Sequence, residues 1–284
     1  MKQRTLLKFA VLSALASVML AMGCTNPAQG DGAGITEPTS PAAPVSEAPA
    51  SSESTPTESA SSGSAPQLNR NNPIESTNES NDSMAKLLCQ GHASFRITTA
   101  EGKVIYVDPY AGEGYDVPAD LILVTHEHSD HNKLSLIQCR NSDCEVITEK
   151  EALKGGARQV FDLGYVTVEA TEAGNKNHDP TQCVGYILAL SGGILVYATG
   201  DTSKTAQMET LAQRHLDYAL ICCDGVYNMD VKETSECAEL IAAKHSIPYH
   251  MAPGKLFSQE IADQFQAGNR LIVKPGEEII LKKQ

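Results

Sequence analysis

A short apolar run that ends in a cluster of histidines most constrains what this chain can fold into. The run Leu121-Ile122-Leu123-Val124 leads directly into Thr125-His126-Glu127-His128-Ser129-Asp130-His131-Asn132. Three of the eight histidines in the chain fall within six positions of one another. An apolar run of this length is typical of a buried strand, and the loop after it offers several potential metal ligands. We therefore expect a β-sheet with a metal site at its edge.

The spacing within this cluster predicts how its side chains are shared. His126 and His128 are two positions apart, so in an extended segment they point the same way and can bind one ion. Asp130 and His131 follow the turn and can bind a second ion nearby. Two ions a few ångströms apart can activate a water and stabilise the attacked and leaving oxygens. The alternative is a solvated polar loop that happens to be rich in histidine.

The first 23 residues have the pattern of a secretory signal, with a basic start and an apolar run over 9–22. The run ends in Leu20-Ala21-Met22-Gly23-Cys24, which resembles a bacterial lipoprotein cleavage box with Ala21 where leucine is usual. This interpretation makes Cys24 the lipidated residue and predicts an exported protein that a lipid anchors to the cell membrane. The alternative is an ordinary signal peptide and a free secreted protein.

Residues 25–83 predict a disordered tether. They are rich in Ser, Ala, Pro, Thr and Glu and contain no aromatic residue, so they cannot bury enough apolar area to fold. Residues 84–284 remain for one folded domain. The chain has a net charge of −13, and its acidic balance argues against nucleic acid as a partner. A small-molecule substrate is expected, and the oligomeric state is left open.

The order of predicted elements indicates an α/β fold. Short strands dominate the first half of the domain, and helices alternate with strands in the second, which predicts two sheets with helices outside. The predicted helices are Glu149–Leu153, Thr205–His215, Val231–His245 and Ser258–Phe265. The predicted strands are Lys86–Cys89, Ser94–Thr99, Lys103–Val107, Leu121–Thr125, Glu145–Thr148, Val184–Leu190, Ile194–Thr199, Tyr218–Cys222 and Ile247–His250, with others within 159–173 and 270–281. Cys139 and Cys144 fall in a predicted polar loop, where they could form a disulfide.

Three further residues are candidates for the same site because each follows an apolar run. They are His178, Asp201 and His250. Each also has a structural interpretation when taken alone. Asp201 could cap a helix, His178 could be a loop residue, and His250 could be a core histidine.

Taken together, these residues resemble the metallo-β-lactamase superfamily. The matching pattern is His126-x-His128-x-Asp130-His131 followed by His178, Asp201 and His250, and the resemblance covers 84–284. Smaller motifs are similar to the L-ascorbate-6-phosphate lactonase-like branch. They are Gly91-His92-Ala93-Ser94-Phe95, Asp108-Pro109-Tyr110, Val184-Gly185-Tyr186 and Lys274-Pro275-Gly276-Glu277.

The resemblance implies a four-layer αββα sandwich and a role for each residue of the pattern. One metal ion would be held by His126, His128 and His178, and a second by Asp130, His131 and His250. Asp201 would bridge the two ions, and Asp130 would also orient the attacking hydroxide. Two divalent ions are expected, zinc by default, with manganese or iron as alternatives.

Two residues near this pattern have weaker assignments. His92 lies in a glycine turn and could hydrogen-bond a metal ligand, although it could equally be a structural turn residue. Tyr227 lies in a loop that approaches the substrate in the lactonase-like branch. That branch usually has glycine where this chain has Asp224, which weakens the expectation that Tyr227 contacts substrate.

The sequence thus predicts a metal-dependent hydrolase, tethered at the cell surface, that acts on an ester, lactone, amide or phosphodiester bond. A non-catalytic metal- or solute-binding surface lipoprotein and a true β-lactamase are the alternatives. Diiron oxygen reductases share the expected fold, but they carry glutamate at the position of His128 and add a flavin domain.

Overall fold

The computed structural model describes residues 84–284, which contain two six-stranded β-sheets. The predicted signal over 1–23, the lipidation site Cys24 and the predicted linker over 25–83 lie outside the described residues. The expectation of an α/β fold built on two sheets is confirmed.

The first sheet has the strand order β12-β1-β2-β3-β4-β5. Its strands are β1 (Lys86–Gly91), β2 (Ser94–Thr98), β3 (Val104–Val107), β4 (Ala119–Leu123), β5 (Arg140–Ile147) and β12 (Glu278–Ile280). Neighbouring strands are antiparallel from β12 to β3, whereas β3, β4 and β5 run parallel.

The second sheet has the order β11-β10-β9-β8-β7-β6. Its strands are β6 (Val160–Asp162), β7 (Val166–Glu172), β8 (Val184–Leu190), β9 (Leu195–Ala198), β10 (Tyr218–Cys222) and β11 (His245–Tyr249). Strands β6 to β9 are antiparallel, and β9, β10 and β11 are parallel. Each sheet therefore has a parallel half whose strands end at one edge.

The helices are short, and two of them pack against strands of the parallel halves. The helices are α1 (Glu149–Ala152), α2 (Met208–Leu211), α3 (Val231–Ile241) and α4 (Gln259–Gln264). Helix α1 contacts β5, and α3 contacts β10 and α2. Within residues 84–284, the structure contains no helix with the length and apolar character needed to cross a membrane.

The main core contains side chains from both sheets. In strand β3, alternate residues point to opposite faces of the sheet and belong to different apolar clusters. Ile105 and Val107 belong to this core, whereas Val104 and Tyr106 belong to a second apolar cluster. This alternation follows from the period of two in a strand, so a continuous apolar run fills two layers. The apolar run before the histidine cluster is fully buried for the same reason.

Several predicted boundaries were wrong. The helix predicted over Thr205–His215 is reduced to α2 and the 3₁₀ turn Ala212–Arg214. Helix α3 ends at Ile241 instead of His245, because Ala242 adopts a left-handed backbone with φ of 52°. Strand β11 accordingly begins at His245, two residues before the predicted Ile247. The closing region 270–281 contains a single named strand, β12.

The loop predicted to hold Cys139 and Cys144 contains Cys139, but the prediction was wrong for Cys144. Strand β5 begins at Arg140, so Cys144 lies within a strand. All seven cysteines of the described residues are free.

Candidate metal centre

The carboxyl ends of the parallel strands bring the functional side chains together. In the second sheet, Asp201, Asp224 and His250 follow β9, β10 and β11. In the first sheet, Asp108 follows β3 and His126 follows β4. Parallel strands end at one edge of a sheet, which is where α/β folds place their ligands. The two sheets therefore present their polar residues to a common site.

The structure places all seven residues of the metal pattern at this site. Potential ligand atoms within 4.8 Å of one another form three groups: His126, His128 and His178; His126, His131 and Asp201; and His92, Asp130, His131 and His250. All of them are buried except His128, which is exposed, and Asp130, which is half-buried. We call His126, His128 and His178 the open half of the site, and Asp130, His131 and His250 the enclosed half.

The donor atoms at the centre of the site fit a divalent cation. The buried atoms that lack a hydrogen-bond partner among the described residues include four at this position: Nε2 of His126, His131 and His250, and Oδ1 of Asp201. Leaving a buried polar atom unpaired costs about 1–3 kcal/mol. Imidazole nitrogens gathered around a carboxylate are ligands that zinc, manganese and iron accept, so ions at this position would satisfy these atoms.

Burial keeps most of these imidazoles neutral. Desolvation, helped by the neighbouring His131, lowers the pKa of His126 to about 2. Desolvation is also the main reason that the pKa values of His178 and His250 lie below the ordinary value. A neutral imidazole has a free lone pair, so these three side chains can bind a metal without first losing a proton.

His131 behaves in the opposite way because it lies between two carboxylates. Burial alone would lower its pKa, but Asp201 and Asp108 raise it well above the ordinary value. Its Nε2 lies 3.5 Å from Asp201 Oδ1. Burial would likewise raise the pKa of Asp201, but the charges on His131 and His250 lower it well below the ordinary value. A metal ion bound here would therefore displace a proton from His131.

Asp108 orients His131, a role that the sequence did not reveal. Its buried carboxylate accepts hydrogen bonds from Thr125 N and Oγ1, both at 2.7 Å, and from His131 Nδ1 at 2.9 Å. A carboxylate behind a metal-binding histidine fixes the ring and makes its other nitrogen a better ligand. Its position directly after a strand, as for the predicted ligands, was the available signal.

Asp224 and Asn228 form a second support that the sequence did not predict. Asn228 Nδ2 donates to Asp201 Oδ2 at 2.8 Å and to Asp224 Oδ2 at 2.6 Å. Asp224 Oδ1 accepts from the backbone N–H groups of Val226 and Tyr227, both at 2.7 Å. Asp224 therefore shapes the loop that carries Tyr227 and links it to the carboxylate of Asp201.

The open half has one comparable support. His178 Nδ1 lies 3.1 Å from Asn175 Oδ1, and Asn175 Nδ2 donates to Asn228 Oδ1 at 3.0 Å. Asn175 thus orients His178 and connects it to the loop beside Asp201. In His126, Nδ1 lies 3.1 Å from the hydroxyl of Thr125.

His92 and Tyr227 both lie at the site. His92 is buried, and its Nε2 is 3.2 Å from Asp130 Oδ2. The hydrogen bond from His92 is the main reason that the pKa of Asp130 lies below its ordinary value. The Tyr227 side chain is 53% exposed and lines the cleft above the metal pattern.

Two cavities meet at the site and differ in their lining. A cleft of about 540 Å³ is lined by Tyr110, His128, Ser129, Asp130, Asn177, His178, Asp201, Tyr227, His250, Pro253 and Gly254. A second cavity of about 660 Å³ lies on the side of the open half, and its charged lining residues are Glu127, Glu149, Lys150, Lys154 and Asp179. The cleft reaches residues of both halves, whereas the second cavity reaches only the open half.

Two β-sheets with a histidine and aspartate cluster at their edge define the metallohydrolase class of β-lactamase-like proteins. Residues 86–250 match the family described as the β-lactamase superfamily domain, and the chain belongs to this family. A UPF0173 metal-dependent hydrolase from Carboxydothermus hydrogenoformans is 27% identical over 227 residues, which cover 69% of this chain and 100% of the relative.

Two further comparisons agree with this assignment. A UPF0173 metal-dependent hydrolase from Alkaliphilus metalliredigens is 30% identical over 190 residues, covering 58% of this chain and 84% of the relative. The fold matches a metallo hydrolase from Ignicoccus hospitalis with a TM-score of 0.58 and 22% identity, over 71% of this chain and 100% of the other. The chain is therefore a metal-dependent hydrolase with the metallo-β-lactamase fold, as predicted.

Proposed function

We propose that this protein is a two-metal hydrolase that cleaves an ester, lactone, amide or phosphodiester bond of a small molecule. The observation that carries the proposal is the group of four buried donor atoms that face the centre of the site without hydrogen-bond partners. The open half would hold one ion and the enclosed half the other, with Asp201 between them. Zinc suits this nitrogen-rich set, and manganese or iron could replace it.

The residues of the chain position the reaction. Bound ions would supply Lewis acidity and a water of low pKa. Asp130 is half-buried and opens onto the cleft, where its carboxylate can orient the attacking water and accept its proton. Asp201 is fixed by Asn228, and His131 by Asp108, so neither side chain has to rearrange as charge develops.

The lining of the cleft indicates the type of substrate. Two aromatic side chains, Tyr110 and Tyr227, line it, and none of its described lining residues is lysine or arginine. A site for a phosphorylated substrate would be expected to carry such a cation. We therefore place the protein beside the lactonase-like branch on its motifs, but propose a substrate without a phosphomonoester group instead of a sugar phosphate.

The N-terminal pattern supports a location outside the cytoplasm. The basic start, the apolar run over 9–22 and Cys24 are consistent with an exported protein that is held at the membrane by a lipid. In this proposal, Cys24→Ala releases the protein from the membrane fraction. A variant that stays in that fraction would contradict the lipid anchor without affecting the proposed chemistry.

Metal content and activity test the chemistry together. We expect the full chain to bind about two metal ions and to hydrolyse a lactone, phosphodiester or β-lactam in a screen, and to lose this activity with a chelator. Asp130→Asn should lower turnover by about 10²–10⁴-fold while the circular dichroism spectrum stays unchanged. Asp143→Asn, an exposed carboxylate away from the site, is the control. Full activity after complete metal removal would overturn the proposal, and tight binding without turnover would favour a binding protein.

A further inference from the structure

We propose that His92 is a direct metal ligand, which joins Asp130, His131 and His250 around the ion of the enclosed half. The inference rests on the proposed two-metal function and goes beyond it, because the metal pattern read from the sequence does not include His92. One potential ligand atom from each of these four residues lies within 4.8 Å of the others. The side chain of His92 is fully buried.

The first argument is the hydrogen-bond inventory of the His92 ring. Nδ1 lies 3.1 Å from the carbonyl oxygen of Lys255, which can only accept, so Nδ1 carries the hydrogen. In a neutral ring, Nε2 then has a lone pair, and it faces Asp130 Oδ2 at 3.2 Å. Two acceptors at this distance repel each other unless a positive charge lies between them. In the absence of a metal, a second ring proton on Nε2 supplies that charge and donates to Asp130. A metal ion bound to both atoms would take the place of this proton, as it would at His131.

The second argument is that His92 is oriented in the same way as the histidines of the metal pattern. In His131 and His178, Nδ1 faces an acceptor outside the site, Asp108 or Asn175, and Nε2 faces the centre. His92 repeats this arrangement with the carbonyl of Lys255 as its outer acceptor. Histidines that bind metals usually donate their second N–H group in this manner.

The third argument is the backbone, which holds His92 and His250 as a pair. Both residues are left-handed, with φ of 55° and 46°, and strained non-glycine residues of this kind cluster at functional sites. The N–H of His250 donates to the carbonyl of His92 at 2.8 Å. Their ring centroids are 3.8 Å apart. A turn residue with no role at the site would not need this arrangement.

Cobalt substitution gives a test that does not depend on activity. Asparagine tolerates the left-handed backbone and can keep the hydrogen bond to Lys255, but it has no atom at the position of Nε2. In the proton spectrum of the Co²⁺ protein, His92→Asn should remove one strongly shifted exchangeable N–H signal. His215→Asn is the matched control, because His215 is exposed, left-handed and away from the site. It should remove none.

Stepwise metal titration gives the second measurement. In His92→Asn, the dissociation constant of one of the two ions should rise by more than the 10–100-fold typical of residues outside the ligand shell. His92→Gln, whose amide can donate to Asp130, should not restore it. Retention of every shifted N–H signal in His92→Asn, or recovery of affinity in His92→Gln, would overturn direct ligation. The wild-type protein could bind two ions and hydrolyse nothing while His92→Asn still loses one shifted signal. That outcome would support ligation and contradict only the proposed activity. A wild-type protein that binds no second ion would overturn both.

Discussion

The two halves of the metal centre differ in how firmly the protein holds them. In the enclosed half, His131 and His250 have 0% and 2% exposure, and Asp108 accepts a hydrogen bond from His131. In the open half, His128 is exposed, and His178 is oriented by the single side chain of Asn175. The enclosed half therefore has a buried carboxylate behind one of its ligands, whereas the open half contains an exposed ligand and has only an amide behind His178.

This difference suggests a division of work between the two halves. A rigid, water-poor environment fixes the groups that stabilise developing charge, because no reorganisation is needed during the reaction. We expect the half that opens onto a cavity of about 660 Å³ to exchange its ion more readily. We therefore expect one tight and one weaker metal site, with the tight site in the enclosed half.

The strongest test of this comparison is Asp108→Asn. The amide would turn a donor toward His131 or Thr125, and breaking a buried charged network costs on the order of 3–5 kcal/mol. We expect this loss of unfolding free energy in the chelated protein, together with a 10–100-fold weaker affinity for the tighter ion. Denaturant unfolding and competition titration measure the two effects.

The control for this variant is Asp120→Asn. Asp120 is also buried and accepts from Lys103 and the N–H of Val104, but it belongs to no metal group. It should lower stability without changing metal affinity. If Asp108→Asn leaves the affinity for both ions unchanged, the enclosed half is not preorganised by its outer hydrogen bonds.

The pH dependence of the chelated protein gives the next largest effect, and His131 contributes to it with the opposite sign to His126. The pKa of His126 is lowered to about 2, so below about pH 6.5 the unfolded chain binds a proton that the folded chain does not. Its contribution to the unfolding free energy therefore falls as the pH falls, by at most about 1.4 kcal/mol per unit. The pKa of His131 is raised, so its protonated ring stabilises the folded state. This contribution to the unfolding free energy is fully present below about pH 6.5 and is lost as the pH rises through the pKa of the folded state.

Unfolding of the chelated protein between pH 7 and pH 5 measures this balance. Because His178 and His250 also have lowered pKa values, we expect stability to decrease toward pH 5. His126→Asn should flatten the slope, since it removes one of the groups that titrate only in the unfolded chain. A slope that is unchanged in this variant would mean that His126 is not kept neutral by burial.

Part of this site could be predicted from the sequence because its residues follow recognisable strands. His126, Asp201 and His250 each come shortly after an apolar run, and strand ends at one sheet edge are near one another in space. The contact between Asn228 and Asp201 spans 27 residues and depends on the parallel pairing of β9 with β10. No local pattern around Asn228 contains that information.

The fold shows the same limit. Strands with continuous or alternating apolar residues were predicted close to their true positions because burial sets their pattern. The end of α3 was not, because Ala242 takes up a left-handed conformation that its sequence does not favour. The length of β5 was missed as well, since its first residues are polar and exposed, and they join the sheet only beside β4.

A smaller effect is expected from Asn175→Ala, which tests the open half. The variant removes the acceptor of His178 Nδ1, so the weaker ion should lose about 10-fold in affinity, at the low end for an outer hydrogen bond. The tighter ion should be little affected. Titration with Asn141→Ala, an exposed asparagine away from the site, gives the baseline. An equal loss for both ions would show that Asn175 acts on the two halves jointly through Asn228.

The smallest effect comes from helix α1, in which Glu149 lines the cavity beside the open half and Glu149 and Glu151 have opposite pKa shifts. Burial raises the pKa of Glu149. Burial would also raise that of Glu151, but the hydroxyl and N–H of Thr148 donate to its carboxylate and lower it. Glu149→Gln should therefore raise the melting temperature slightly at pH 7, and Glu151→Gln should lower it. Both differences should vanish at low pH, where the carboxylates are protonated. If Glu149→Gln is instead destabilised, the Glu149 carboxylate has a stabilising partner at the site. The open half would then be better supported than the contacts of His178 and His126 indicate.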